Sequence, residues 1–354
     1  MFRLLDFYIA RTLLSTVAVT LSVLVGLSAL IKFVEQLRRI GQGDYDMTVA
    51  ALYVFLSLPR EVELFLPMAT LLGGLIGMGL LAQSSELVVM QASGLSRTNI
   101  TMSAMKSVVI VILLMMAVGE FITPQSETKA KELRTEALSG GSLLASGSVT
   151  WAKDGNDFVS ISQVIDQDSL QDIEIFKFDD ELNLRQIIMA GFADFNGENW
   201  SLTNIKRIEF NDTQIENEDL KQYIWESTLT PDKLGIVAVK PEALSIRGLI
   251  DYVAYLENNG QDPARYQLAL WRKIFQPLSV AVMLLLAMSF IFGPLRSVTM
   301  GARTIMGVIA GFSFFISNEI FGQASLVFQL TPVLGALLPS LVFAALAAYL
   351  LKRQ

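Results

Sequence analysis

Three cations crowd the end of the first apolar run, Lys32, Arg38 and Arg39. At headgroup depth such a cluster can grip lipid phosphate through charge-assisted hydrogen bonds, although snorkelling to the interface accounts for Lys32 without any ligand. Two carboxylates, Glu120 and Glu319, stand inside or at the edge of apolar runs. A charge at mid-bilayer costs roughly 2.5 to 3.5 kcal/mol, so both are expected to face protein or water. Glu120, beside Thr123 and Pro124, reads as interfacial, while Glu319 lies deeper and is a candidate cavity residue. A further carboxylate, Glu86, sits in SSELVVMQASGLSR, residues 84–97, where Leu87, Val88, Met90 and Gln91 have helical spacing. The segment suits a short helix that docks into a partner's groove; an ordinary amphipathic loop helix is the plainer alternative.

Other chemistry is excluded by residue type. The chain has no cysteine and no histidine, which removes disulfides, thiolate nucleophiles, imidazole bases and the usual zinc or copper ligands. No Gly-x-x-x-x-Gly-Lys-Ser/Thr stretch is present to cradle nucleotide phosphates, so ATP that energised this chain would be hydrolysed by another subunit. Neither paired carboxylates nor a Ser–Lys arrangement lies on adjacent span faces, which disfavours an intramembrane hydrolase.

The elements that hold these residues follow from hydropathy. Of 354 residues 52% are hydrophobic and 17% charged, with a mean hydropathy of +0.48, too apolar for a soluble domain. Six apolar runs approach the length that crosses a bilayer: Thr12–Ile31, Val62–Ala82, Ala104–Thr123, Ile274–Phe292, Ile305–Phe328 and Val333–Leu351. The first is long, shows no clear cleavage site and precedes five more, so it is read as a retained span rather than a signal peptide. Gly73–Gly77 and Gly307–Gly311 have the small-xxx-small spacing of close helix packing.

The net charge of −7 is uneven, because Pro124–Trp271 holds 25 acidic and 13 basic residues. Arg3, Arg11, Arg97, Lys106, Arg296, Arg303, Lys352 and Arg353 occupy the N-terminus, the second and fourth loops and the C-tail, which predicts cytoplasmic termini and an extracytoplasmic acidic insert. Lys32, Arg38 and Arg39 are exceptions to that bias. Within the insert, Val149–Lys153, Phe158–Ile165, Gln171–Asp179, Leu184–Phe192, Trp200–Leu202, Arg207–Phe210 and Tyr223–Trp225 read as short strands between turn residues, the pattern of a sandwich or jelly roll. Ile246, Leu249, Ile250, Val253 and Leu256 follow helical spacing behind a possible N-cap at Ser245, with Gly260 and Pro263 as stops. The expected organisation is therefore membrane α-helical with an inserted all-β, jelly-roll-like domain. Residues 1–123 carry spans one to three and a coupling helix near 84–97, residues 124–271 the insert with its amphipathic helix, and residues 272–354 spans four to six.

The three-plus-insert-plus-three plan, with IKFVEQLRRIGQGDYD, SELVVMQASG, WAKDGNDFV, TPDKLGIVA, FQPLSVAV and FIFGPLRS, resembles the LptF/LptG family over essentially the whole chain. These are permease subunits of the lipopolysaccharide export ABC transporter. The resemblance implies a heterodimer with an LptF-type paralogous subunit, a cytoplasmic ATPase homodimer that uses the ATP, and an LptC-type single-span protein beside the first span. It implies no catalytic residue, metal or cofactor in this chain, and residence in a bacterial inner membrane with the β-domain in the periplasm. Lipopolysaccharide would be drawn from the outer leaflet and passed to a periplasmic bridge toward the outer membrane. By position, Lys32, Arg38, Arg39, Lys131 and Arg134 correspond to substrate-binding cations, and Glu86, with Leu87 and Met90, to the ATPase-coupling helix. A permease for another lipid or a lipoprotein, and a scaffold without transport activity, are the competing readings; a scaffold would not need a cytoplasmic docking helix.

Overall fold

A computed structural model of the chain describes residues 4–139, 150–166, 168–210, 214–231, 241–292 and 298–352. Six helices among them are long and apolar enough to cross a membrane. They are α1 (Leu4–Leu37), α2 (Met47–Gln83), a rod made of α4 (Arg97–Ala117) and α5 (Thr123–Ser139), then α7 (Ala264–Phe292), α8 (Met300–Val327) and α9 (Pro332–Lys352). A π-helical turn, Val118–Ile122, joins α4 to α5. The seven-residue α3 (Glu86–Ala92) fills the α2–α4 connection. Starts are set by side-chain caps: Asp46 accepts from the Val49 N–H at α2, and Ser96 from the Asn99 N–H at α4.

α2 is the most buried span and the centre of the helical body. Its glycines work as expected for helix packing: a Cβ on Gly73 would come within 2.6 Å of the Val17 backbone of α1. That approach lets Thr16 Oγ1 donate to the Gly73 carbonyl at 2.8 Å. Gly77 faces Thr16, and Gly307 and Gly311 of α8 face Leu75 and Met68 of α2.

The expected domain limits at 123/124 and 271/272 both fall inside helices, the first at the α4–α5 rod and the second in α7. Hydropathy changes at those points, but backbone hydrogen bonding does not stop where hydropathy does.

The insert is a six-stranded antiparallel sheet: β1 (Thr150–Asp154), β2 (Asp157–Asp166), β3 (Ser169–Phe178), β4 (Leu184–Phe195), β5 (Trp200–Phe210) and β6 (Ile215–Trp225). The all-β expectation holds. Each described strand pairs with its neighbour in sequence, in the order β1-β2-β3-β4-β5-β6. Trp200–Leu202 and Arg207–Phe210 are two ends of one strand. Asn204 sits between them at φ +53°, opposite Gly191, and this irregularity interrupts the alternation without ending the strand. β6 reaches back from Tyr223–Trp225 to Ile215 through Glu216, Glu218 and Asp219, an exposed, charged edge.

One sheet face buries Val159, Ile161, Ile173, Ile188 and Trp200 against α6 (Ile246–Asn258). Ser245 caps α6 by accepting from Gly248 N–H at 3.0 Å, as expected. The buried stripe of α6 is Leu249, Tyr252, Tyr255 and Leu256, while Ile250 is exposed. The tyrosines carry the packing because their rings are apolar and the Tyr255 hydroxyl donates to the Lys153 carbonyl at 2.7 Å. Beyond β6, the Ser227 hydroxyl donates to Asp154 at the end of β1 (2.6 Å), so the two edges of the sheet approach at that corner.

Candidate functional site

The basic set is assembled from three elements. Lys32 lies on α1, Arg38 and Arg39 in the turn that follows it, and Lys131 and Arg134 one helical turn apart on α5. The turn docks on the end of α5 backbone to backbone: Asp44 N–H donates to the Ala137 carbonyl at 2.8 Å. A Cβ on Gly43 would come within 2.6 Å of that same carbonyl, which only glycine avoids. Tyr45 is buried in this joint with Ala50 and Ala137, and its hydroxyl donates to Gln36 Oε1 at 3.1 Å. Burial pushes the Tyr45 hydroxyl above its ordinary pKa, against the opposing pull of Arg134 and then Arg39, whose charges both reach it. Arg134 also donates to the Tyr53 hydroxyl at 3.3 Å and lies over that ring, 5.2 Å from its centroid.

Lys32 is not free to act alone. Its ammonium is 2.6 Å from Glu61 Oε1 of α2, whose side chain is only 7% exposed and also accepts from Ser28. Arg38 and Arg39 are exposed. Below the cations, α1 leaves Val19, Val23, Leu27, Leu30, Ile31 and Val34 uncovered.

α3 divides its expected docking residues. Leu87 and Met90 are buried in the helical core of this chain, so they anchor α3 instead of facing outward. Val88 and Val89 are exposed. Glu86 accepts from the Tyr8 hydroxyl at 2.7 Å and the Ser84 hydroxyl at 2.9 Å, which ties α3 to the start of α1.

Glu120 sits on the π-turn and accepts from the Ile246 N–H at 2.8 Å, so it caps α6 together with Ser245. Glu319 lines a cavity between α2, α7 and α8, 3.4 Å from Arg272 Nη1.

Sequence reasoning missed Glu61 and Glu63 beside Pro59 in α2, and Arg272 and Lys273 in α7. Lys273 Nζ donates to the carbonyls of Gly119 (2.9 Å) and Leu244 (2.7 Å) and lies 3.7 Å from Glu63, with both side chains nearly enclosed. Glu63 also accepts from the Thr123 hydroxyl. This knot joins α2, the π-turn, the segment leading into α6, and α7. Charges flanking prolines within an apolar helix, as in LPREVELFLP, were the available signal.

Six apolar helices among the described residues, with an all-β insert between the third and the fourth, define a multi-pass membrane protein. The chain belongs to the lipopolysaccharide export system permease family LptF/LptG, whose model matches residues 7–353. It is 49% identical to the lipopolysaccharide export system permease protein LptG of Escherichia coli K12 over 356 residues, 100% of this chain and 99% of the relative. Identity to LptG of Haemophilus influenzae is 45% over the same spans. LptF of Escherichia coli K12 is 26% identical over 185 residues, 52% of this chain and 50% of that protein, which sets this permease on the LptG side of the family.

Proposed function

We propose that the chain is one half of a heterodimeric permease, paired with an LptF-type subunit, that extracts lipopolysaccharide from the outer leaflet of the inner membrane and raises it toward its periplasmic β-domain. A cytoplasmic ATPase homodimer supplies the energy through α3, and an LptC-type single-span protein lies beside α1. Extraction removes acyl chains from hydrocarbon at about 0.8 kcal/mol per CH₂, so a replacement apolar surface is required. The observation that carries this reading is the uncovered stripe of α1 beneath Lys32, Arg38 and Arg39, with Lys131 and Arg134 on the docked end of α5. Chains lie on the stripe while the cations hold phosphate.

The test is lipopolysaccharide photocrosslinking to the permease complex in nanodiscs. Removing Lys32 alone would strand buried Glu61, a cost of about 3 kcal/mol unrelated to ligand, so the comparison is made in a Glu61→Gln background. In that background Lys32→Gln, Arg38→Gln and Arg39→Gln together should reduce capture about a hundredfold or more, since each charge-assisted contact contributes roughly 1.5 to 3 kcal/mol. Arg11→Gln with Arg97→Gln should have no such effect. Equal capture by an assembled triple variant would return the cations to interfacial snorkelling.

A further inference from the structure

A second set of guanidinium groups lies on the other flank of α2. The cavity between α2, α7 and α8 has a volume of about 430 Å³, in the range of small-molecule sites. Arg60, Arg265, Arg272 and Lys273 line it with Glu63, Glu242 and Glu319, and Leu64, Met68 and Phe315 supply apolar lining. The ion pairs of the arginines are long. Arg60 is 3.6 Å from Glu242 and Arg272 is 3.4 Å from Glu319, both longer than the roughly 2.7 to 2.9 Å of a fully formed charged hydrogen bond. Arg265 is exposed, and among the described residues it forms no ion pair.

Arg272 is seated by the fold. Its Nη2 donates to the Asn318 carbonyl at 2.7 Å, and the guanidinium lies where a Cβ on Gly322 of α8 would overlap it. Its Nε is buried with no hydrogen-bond partner, a donor that a ligand oxygen would satisfy.

We propose that this cavity binds the phosphate of a phosphate-headed acyl lipid, with Arg265 and Arg272 as phosphate ligands and an acyl chain beside Met68 and Phe315. Guanidinium forks match phosphate geometry better than a single ammonium does, and a basic pocket between spanning helices is suited to an anionic headgroup. The site is separate from the cations of α1, because Glu61 turns toward Lys32 while Arg60 turns toward Glu242. It rests on the reading of the chain as a lipid-handling permease but not on the role of Lys32, Arg38 and Arg39.

The experiment places p-benzoylphenylalanine at Phe315 of the full chain in its complex and measures adducts by mass spectrometry. One arm uses phosphatidylglycerol nanodiscs, and the other the same discs with lipopolysaccharide. A phospholipid adduct in the first arm identifies a resident bilayer lipid, and a lipopolysaccharide adduct in the second identifies the exported lipid; either supports the site. Arg265→Gln with Arg272→Gln should lower the adduct about tenfold or more. Arg265→Gln alone, at an exposed position, gives the same direction if the double variant fails to assemble. In the phosphatidylglycerol arm the triple change at Lys32, Arg38 and Arg39, made in the Glu61→Gln background, should leave the adduct unchanged, so the two sites fail separately. An adduct insensitive to both arginines, or one formed with a peptide of the partner subunit, would overturn the proposal.

Discussion

The carboxyl of Asp157 is half-buried at the start of β2, where it accepts a hydrogen bond from Phe178 N–H at 3.2 Å. Burial pushes its pKa above the ordinary carboxylate range, Asp154 adds to that push, and the Phe178 bond and Lys177 oppose it. A raised folded-state pKa gives a contribution to stability that is complete below the unfolded value and lost as pH rises through the folded one. At neutral pH the Asp157 charge therefore opposes folding of the β1–β2 hairpin. Asp157→Asn can accept the same bond without the charge, so hydrogen exchange in the hairpin of the full chain should slow at pH 7, and the difference from the parent should vanish near pH 3. A slowing that persists unchanged at low pH would rule out this account. At the same scale, Lys32, Arg38 and Arg39 were visible in sequence because cations stood at the wrong end of an apolar run. The Glu63–Lys273 pair was not, because its partners are far apart in sequence and each lies where hydropathy is already changing.

Short apolar segments do not declare which face they bury. In α3, helical spacing selected Leu87, Val88, Met90 and Gln91, and the structure uses Leu87 and Met90 to hold the helix against its own chain, leaving Val88 and Val89 outward. Val89→Asp should accordingly release the ATPase from the purified complex with little change in thermal stability of the permease. Leu87→Ala should lower that stability by about 2 to 3 kcal/mol through cavity formation. If Val89→Asp left ATPase binding intact, α3 would not be the docking element. In α6 the periodicity was right and the face was shifted, because two tyrosines carry packing that a purely aliphatic count assigns to Ile250. Strand existence was legible from alternation, but strand order was not, since alternation marks the face a strand buries and not the strand it pairs with.

At the scale of the molecule, six spans could be read because each must satisfy the same bilayer thickness, whatever it packs against. Contacts also gather the elements expected at the cytoplasmic side. Asp6 pairs with Lys106 at 3.1 Å, Tyr8 meets Glu86, and Arg303 donates to the Gly79 carbonyl at 3.4 Å, all at the end of the helical body opposite the sheet. Arg3, Arg296 and Arg353 lie outside the described residues. Because the chain has no native cysteine, Ser96→Cys and Glu198→Cys should divide cleanly, with only the latter labelled by an impermeant maleimide in spheroplasts. Labelling of Ser96→Cys from outside would invert the proposed orientation.

The π-helical turn at Val118–Ile122 accommodates one residue more than an α-helix would over the same rise. Since each residue of an α-helix advances by about 100° and 1.5 Å, an extra residue in regular helix would turn everything after it, whereas the π-turn absorbs that surplus and leaves α5 in phase. Arg134 meets Tyr53 only in the existing phase. Deleting Phe121 should let the rod run as α-helix with Lys131 and Arg134 kept near their present phase, because the π-turn holds the one residue that is lost. Cysteines at Tyr53 and Arg134, joined by a short bis-maleimide in the parent, should still be joined after the deletion, and loss of the link would overturn this account. The π-turn thus gives the third span slack at one point: a residue can be lost there without re-aiming the cations that α5 carries.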